Sequence, residues 1–147
     1  MNGSTAETAV VDGGMLRFTA SDVTGTHTIE ASDVQGSLPA GALAGIDLLY
    51  PDPWRKRRHW KRRFVQAERL DALARLLAPG GVFRFATDWA DYASWTLALA
   101  LKAPRLEWTA ERADDWRRPW AGYTPTRYEA KARRQGRGST YLVFRRR

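Results

Sequence analysis

Two short apolar runs, each followed by a helical pattern, restrict the centre of this chain to few folds. Residues 46–50 (IDLLY) and 82–86 (VFRFA) have the length and composition of buried strands. Residues 65–77 carry apolar side chains at helical spacing and end before Pro-Gly-Gly, and residues 90–102 carry a second helical pattern. The order strand, helix, strand, helix predicts a parallel sheet covered by helices, an α/β layered fold.

The flanking segments are less regular. Residues 1–45 contain only short apolar pieces and predict no compact unit, whereas residues 108–110 start a possible strand and residues 140–144 alternate as a last one. Residues 111–138 are polar and Arg-rich, which predicts a long surface loop. A length of 147 residues predicts one domain, 1–147.

Composition excludes several classes of protein. The chain has no Cys and two His, which argues against disulfides, thiolate chemistry and a zinc site, so we expect no metal. The N-terminus lacks the pattern of a secretory signal, and no apolar run reaches the roughly 18 residues of a membrane span. We therefore expect a cytoplasmic protein with no membrane partner.

The positive charge is concentrated in two places. The formal net charge is +8, and residues 55–63 and 131–147 each contain seven Lys or Arg. Most of these are Arg, whose planar guanidinium suits phosphate and can stack on bases, so a polyanion such as RNA or DNA is the expected partner. The alternative is a charged surface that serves solubility alone.

Two aspartates follow the two predicted strands. Asp52 and Asp88 would lie at the carboxyl ends of adjacent strands, where α/β sheets bind ligands. Asp52 could instead stabilise a turn before proline, and Asp88 could cap the next helix together with Asp91. Beside the first aspartate, Trp54 and Trp60 could stack on bases or belong to the core, and the core is favoured for Trp54.

Four segments carry a family resemblance. PDPWRKRRHWKRRFVQ, LLAPGG, FATDWADYASW and TPTRYEAKARRQG resemble the bacterial tRNA (guanine-N7-)-methyltransferases, over residues 38–147 and more weakly from about residue 10. The resemblance implies a Rossmann-like class I methyltransferase fold, a three-layer αβα sandwich. It also implies transfer of a methyl group from S-adenosyl-L-methionine to guanine N7 in the variable loop of tRNA, by a monomer or a homodimer.

The resemblance also assigns residues. It makes Asp52 the catalytic residue and a cofactor contact, together with Glu30, where the family usually has Asp. It assigns substrate binding to Lys56, Asp88, Thr126, Arg127, Tyr128 and Glu129, and RNA binding to Arg58, His59, Trp60, Lys61, Arg62 and Arg63.

The chain departs from the family at its beginning. Class I methyltransferases begin with a strand, a Gly-rich turn and an acid for the ribose, whereas Gly13-Gly14 and Glu7 match these features poorly. We therefore expect a domain without its N-terminal third, an unpaired apolar edge in the sheet, and weak or absent cofactor binding. The alternative function is a non-catalytic tRNA- or RNA-binding remnant. DNA or membrane binding by the basic tail has no supporting motif.

Overall fold

The computed structural model describes residues 8–12, 15–19, 26–30, 40–123, 125 and 127–147. In the first three ranges, and at Tyr128, it describes the backbone alone. The strands are β1 Thr8–Asp12, β2 Met15–Thr19, β3 Thr26–Glu30, β4 Leu43–Leu49, β5 Leu77–Thr87, β6 Leu106–Trp108 and β7 Thr140–Arg146. The helices are α1 Ala67–Leu76, α2 Ala90–Lys102, α3 Asp114–Arg117 and α4 Arg127–Arg134, with a 3₁₀ helix at Arg57–Arg62.

The strands of the described ranges form one sheet in the order β3-β2-β1-β4-β5-β7-β6. β4 is parallel to both β1 and β5, and the remaining pairs are antiparallel. The parallel strands β4 and β5 are the two runs predicted from sequence, and their carboxyl ends lie at the same edge of the sheet. That edge is where an open α/β sheet presents its ligand site.

One face of the sheet carries the apolar core. Ile46 and Leu48 on β4 are in register with Phe83 and Phe85 on β5, and all four side chains are at most 1% exposed. The rings of Phe83 and Phe144 stack at 6.0 Å, and Phe85 meets Tyr92 of α2 edge to face at 5.3 Å. α1 and α2 cover this face, so the helical patterns predicted around residues 65–77 and 90–102 arise from its burial.

The opposite face is covered by residues that follow β6. The guanidinium carbon of Arg84 lies 5.3 Å from the ring centre of Trp120, and Tyr141 on β7 donates a hydrogen bond to Glu129 of α4 at 2.6 Å. Helices therefore lie on both faces of the β4-β5-β7 part of the sheet. The predicted three-layer αβα arrangement is confirmed.

Two predicted boundaries are corrected. α1 ends at Leu76, and β5 begins at once with Leu77, so Pro79 and the two following glycines lie inside the strand instead of ending a helix. They lie in the irregular first part of β5, where the register with β4 shifts. A Cβ atom added to Gly81 would lie 2.9 Å from the Ala78 carbonyl oxygen. Only glycine fits at position 81, and a proline at the start of a strand loses no ladder bond there.

Residues 111–138 were expected to form a loop but contain α3 and α4. The helical pattern of α4 is not visible in the sequence because RYEAKARR is almost entirely polar, and Glu129 and Ala132, the buried positions among its described side chains, do not form an apolar stripe. Its helical form depends on contacts with the sheet, chiefly those of Glu129.

The expected unpaired apolar edge is absent from the described part of the sheet. β4 is paired on one side with β5 and on the other with β1, with Ala9 opposite Ile46 and Val11 opposite Leu48. The outermost strands of the described sheet are β3 and the three-residue β6. Residues 8–12 therefore form more than the isolated fragment expected from sequence.

Candidate active site and nucleic-acid interface

The loop that carries Asp52 leaves β4 in a strained conformation. Tyr50 and Trp54, on either side of Pro51-Asp52-Pro53, have φ values of 49° and 44°, which L side chains adopt infrequently. The amide of Tyr50 still donates to the carbonyl of Ala86 at 2.8 Å, so the loop starts from a fixed point on β5. Strain at two positions in five residues is typical of segments whose geometry serves a ligand.

Asp52 itself is exposed and has one carboxylate oxygen engaged locally. Its Oδ1 accepts a hydrogen bond from the amide of Trp54 at 3.2 Å, so the turn role weighed from sequence is present. That bond occupies one oxygen and leaves the carboxylate at the surface of the loop. Stabilising the turn and presenting a carboxylate to a ligand are therefore compatible.

Asp88 follows β5 and does not cap α2. The N-cap position is Trp89, which makes no side-chain capping bond, and its amide donates to the Thr87 hydroxyl at 3.2 Å. Asp88 instead accepts a hydrogen bond from Arg137 Nε at 2.7 Å, in an ion pair whose side chains are 22% and 30% exposed. The helix-cap alternative is therefore wrong, and Arg137 fixes the carboxylate at the edge of the sheet.

Asp52 and Asp88 line one cavity of about 430 Å³ at the carboxyl ends of β4 and β5. Tyr50, Arg55 and Trp89 also line it. The cavity is also lined by Lys131 of α4 and by Gln135 and Arg137, which follow that helix. We call residues 127–137 the α4 region. The structure thus brings together the two aspartates, as the sequence predicted, and places cations on both sides of them.

The residues contributed by the α4 region were not found from sequence. Lys131, Gln135 and Arg137 lie in the segment expected to be a loop, and nothing in local periodicity distinguishes them. The position of α4 against Tyr141 brings them to the cavity. The second basic run is also divided, because Arg145 and Arg146 end β7 at the opposite edge, with Arg147 after them, and Arg146 donates to the carbonyl of Leu77 there.

The basic run after Asp52 forms the 3₁₀ helix and presents cations to solvent. Arg58, Lys61 and Arg62, which the sequence assigns to RNA, are exposed, as are Arg55, Lys56 and Arg57. We call these six residues the basic cluster. Guanidinium groups of the cluster stack on indole rings: Arg55 over Trp89 at 4.5 Å, Arg62 over Trp54 at 5.2 Å and Arg57 over Trp60 at 5.8 Å.

The other aromatic residues of this segment are partly exposed. Trp54 lies between Arg62 and the His59 ring, 5.8 Å away, and is not part of the buried core, so the core assignment favoured for it is wrong. Trp60 meets Trp95 of α2 edge to face at 5.7 Å. Partial desolvation, together with the charges of Arg62 and Arg58, lowers the pKa of His59 below its usual value.

Arg63 must be removed from the predicted RNA contacts. Its side chain is 0% exposed, whereas its neighbours Lys61 and Arg62 are at the surface. Its guanidinium pairs with Asp91 Oδ2 at 2.7 Å and donates from Nε to the carbonyl of Pro53 at 2.8 Å. A phosphate cannot reach it in this position.

The predicted substrate motif at 126–129 is only partly described. Thr126 and the side chain of Tyr128 lie outside the described residues, and Arg127 is exposed at the first position of α4. Lys56, another predicted substrate contact, is exposed immediately before the 3₁₀ helix.

Glu129 is 1% exposed and does not face solvent. It accepts hydrogen bonds from Tyr141 at 2.6 Å, Tyr123 at 2.9 Å and Arg133 at 3.0 Å. Burial raises the pKa of both tyrosines, as does hydrogen bonding to Glu129, so each remains a donor. Tyr123 also lies 3.3 Å from the hydroxyl of Tyr50, which lines the cavity. The structure therefore corrects Glu129 from a substrate contact to a residue that holds α4 on the sheet.

Glu30 is the last residue of β3, and its side chain lies outside the described part of the chain. Since β3 runs antiparallel to β2, and β2 to β1, β3 points the same way as β4. Residue 30 therefore lies at the sheet edge that carries the cavity. Three strand spacings separate β3 from β4, which is roughly 14 Å.

The described residues contain neither a metal-ligand cluster nor a membrane-spanning helix. No group of three or more His, Asp or Glu side chains there is arranged to hold a metal ion. No helix among them is long and apolar enough to cross a bilayer.

Comparison with known proteins gives a family. A family model described as "Putative methyltransferase" matches residues 9–142. The tRNA (guanine-N(7)-)-methyltransferase of Rhodopseudomonas palustris (strain BisB5) is 60% identical over 117 residues, which are 80% of this chain and 46% of that protein. The protein of the same name from Rhizobium meliloti (strain 1021) is 58% identical over 117 residues, 80% of this chain and 50% of its own length.

The chain thus spans about half the length of the curated relatives it matches. Among solved structures, the aminoglycoside resistance methyltransferase NpmB1 aligns with 83% of this chain and 61% of its own, at 16% identity and a TM-score of 0.47. At that level of similarity, the alignment carries no argument about function.

Proposed function

The chain belongs to the methyltransferase family whose model matches residues 9–142, and we propose that it transfers a methyl group from S-adenosyl-L-methionine to guanine N7 in the variable loop of tRNA. The family resemblance predicted from sequence is thereby confirmed. The proposal for tRNA takes support from the names of the relatives. The observation that carries it is the placement of Asp52 and Asp88 in one cavity bordered by the basic cluster.

Methylation of guanine N7 requires little chemical activation by the protein. Guanine N7 carries a lone pair and no proton, so no strong base is needed to expose it. S-adenosyl-L-methionine, when bound, supplies an electrophilic methyl group on a sulfonium. The protein has to hold the purine so that N7 lies in line with that methyl group, and such positioning can account for a large part of a rate enhancement.

The residues of the cavity suit a guanine. A guanine offers N1–H and an exocyclic amine as donors, and Asp52 and Asp88 offer carboxylate acceptors. Arg137 holds the Asp88 carboxylate, and the ring of Trp89 provides a flat surface within the same cavity. Lys56 and Arg127 are exposed for contacts with the rest of the nucleotide.

The basic cluster would position the tRNA backbone. Arg55 of this cluster lines the cavity and the other five cations follow it in the chain, while Lys131 and Arg137 of the α4 region also line the cavity. Phosphate contacts fix the register and orientation of a nucleic acid without reading its sequence. We therefore assign Arg58, Lys61 and Arg62 to the tRNA backbone, with His59 and Trp60 beside them.

The described residues provide only part of a binding site for the cofactor. Asp52 offers a carboxylate to a cationic methyl donor, but β1 is followed after Asp12 by the antiparallel strand β2, which starts at Met15, instead of by a helix. The strand-turn-helix unit that cradles a nucleoside cofactor is thus not formed at β1. Glu30, at the same edge, is the proposed second contact.

We expect weak binding of S-adenosyl-L-methionine by this chain. Its dissociation constant should lie well above the micromolar range, because the described backbone offers no glycine-rich turn entering a helix beside β4. Calorimetric titration of the 147-residue protein measures this directly. A micromolar dissociation constant would contradict the prediction.

The alternative function, a tRNA- or RNA-binding remnant without catalysis, is favoured by the same absence of a helix after β1. The two are separated by a methyl-transfer assay with radiolabelled S-adenosyl-L-methionine at saturating concentration. We expect incorporation into a tRNA transcript and none into a matched transcript with 7-deazaguanosine in the variable loop, which lacks N7. Filter binding of both transcripts without methylation of either would favour the remnant.

A further inference from the structure

Arg63 connects the two segments that carry the aspartates of the cavity. Its Nε donates to the carbonyl of Pro53, next to Asp52, at 2.8 Å. Its Nη2 donates to Asp91 at 2.7 Å, in the first turn of the helix that follows Asp88. One planar group thus bridges the Asp52 loop and the N-terminus of α2.

Aromatic rings surround this guanidinium and favour a buried cation. Its central carbon lies 5.0 Å from the ring centre of Trp60 and 4.9 Å from those of Tyr92 and Trp95. These rings present negative faces to the charge, and they adjoin Nη1, which makes no hydrogen bond in the described part of the chain. Trp95 is held in turn, because its indole N–H donates to the carbonyl of Val65 at 2.8 Å.

We propose that Arg63 is a positioning residue, which sets the separation of Asp52 and Asp88 by tying the loop of one to the helix of the other. The inference rests on the proposed function only in giving the two aspartates a common substrate. The loop leaves β4 with positive φ at Tyr50 and Trp54, so an external contact is needed to keep it in that conformation.

Two other roles for Arg63 agree less well with the geometry. An RNA contact is excluded by its complete burial. Simple space-filling in the core would be served better by an apolar side chain, because burying a charge costs free energy that only specific partners offset. The planar fork matches two acceptors set at an angle, the carbonyl of Pro53 and the carboxylate of Asp91. A lysine cannot make both bonds with the same geometry.

Amide hydrogen exchange tests the proposal without requiring activity. In Arg63→Met, we expect the amide of Trp54, which donates to the Asp52 carboxylate, to exchange at least about tenfold faster, while those of Ile46 and Phe85 in the core strands keep their rates. Arg63→Lys should not restore the protection. Lys61→Met, which removes an exposed cation two positions away, is the control and should leave the Trp54 amide unchanged.

A second variant keeps the test decisive if Arg63→Met does not fold. Asp91 is 54% exposed, so Asp91→Asn keeps the shape of the helix and removes only the charge partner. It should speed exchange at the Trp54 amide by a smaller factor. An unchanged exchange rate at Trp54 in a folded Arg63→Met protein, or in Asp91→Asn if the first variant is unfolded, would overturn the proposal.

Binding to tRNA distinguishes positioning from RNA contact. The slope of log affinity against log salt should be the same for Arg63→Met as for the unaltered protein, whereas Arg62→Met should reduce it by roughly one. An equal reduction for both would make Arg63 a phosphate contact. Failure of the proposed function would appear separately, as absence of tRNA binding by the unaltered protein, and would leave the exchange result intact.

Discussion

Replacing Asp52 by alanine is expected to lower methyl transfer to tRNA by at least about 100-fold, while tRNA affinity changes little. The carboxylate lies in the cavity at the end of β4, where it can hold the purine and the cationic donor in line. The phosphate contacts lie on the basic cluster, which the substitution does not touch. The rate is measured with radiolabelled donor at saturating concentration and the affinity by filter binding.

Two further variants define the cause of that loss. Asp52→Asn retains the hydrogen bond to the Trp54 amide but removes the charge, so it separates the turn role from the carboxylate role. Asp71→Ala removes an exposed aspartate that pairs with Arg105 at 3.1 Å, remote from the cavity, and should leave both measurements unchanged. An equal loss of methyl transfer and tRNA binding in Asp52→Ala would contradict this division of roles.

The two aspartates were predictable because each follows a recognisable strand. A buried run, a turn residue and a helical pattern together fix the end of a parallel strand, and both strand ends lie at the same edge. The helix over 90–102 was predicted for the same reason, since its apolar positions repeat at helical spacing. The spacing of apolar residues is sufficient to predict a helix or strand when burial of one of its faces determines its structure.

The roles of Arg63 and Glu129 were not predictable, because charge alone suggests exposure. Whether Arg63 is buried depends on Tyr92, Asp91 and Trp95, about 30 residues later in the chain. Glu129 is buried because Tyr141 of the last strand donates to it. Such residues acquire their surroundings only when α2 and β7 pack on the sheet, and a single sequence does not encode that packing locally.

Division of the C-terminal basic run has the same origin. Arg137 reaches Asp88, whereas Arg145 lies beside Glu107 at the far edge of the sheet, 3.8 Å between charged atoms. β7 runs antiparallel to β5, so its first residue lies beside the cavity and its last residue away from it. In the sequence, the seven cations of residues 131–147 form one basic run. In the fold, the direction of β7 places those before the strand near the cavity and those at its end away from it.

That separation allows a charge-matched test of the nucleic-acid interface. Replacing Arg57, Arg58, Lys61 and Arg62 together by serine removes four exposed cations of the basic cluster. If each contacts a phosphate, the salt slope of tRNA binding falls by about 3 to 4. Between 50 and 200 mM salt, the affinity of the unaltered protein should therefore fall by about 100-fold more than that of the variant.

The control removes four cations from the other end of the molecule. Lys102 ends α2 and Arg105 follows it, while Arg145 lies at the end of β7 and Arg147 follows that strand, so all four lie away from the cavity. Serine at these positions gives the same net charge as the cluster variant. Long-range attraction between tRNA and a +8 protein would weaken equally in both, because it depends on net charge. A salt slope lowered by the same amount in both variants would show that tRNA is attracted by overall charge and that the basic cluster makes no specific phosphate contacts.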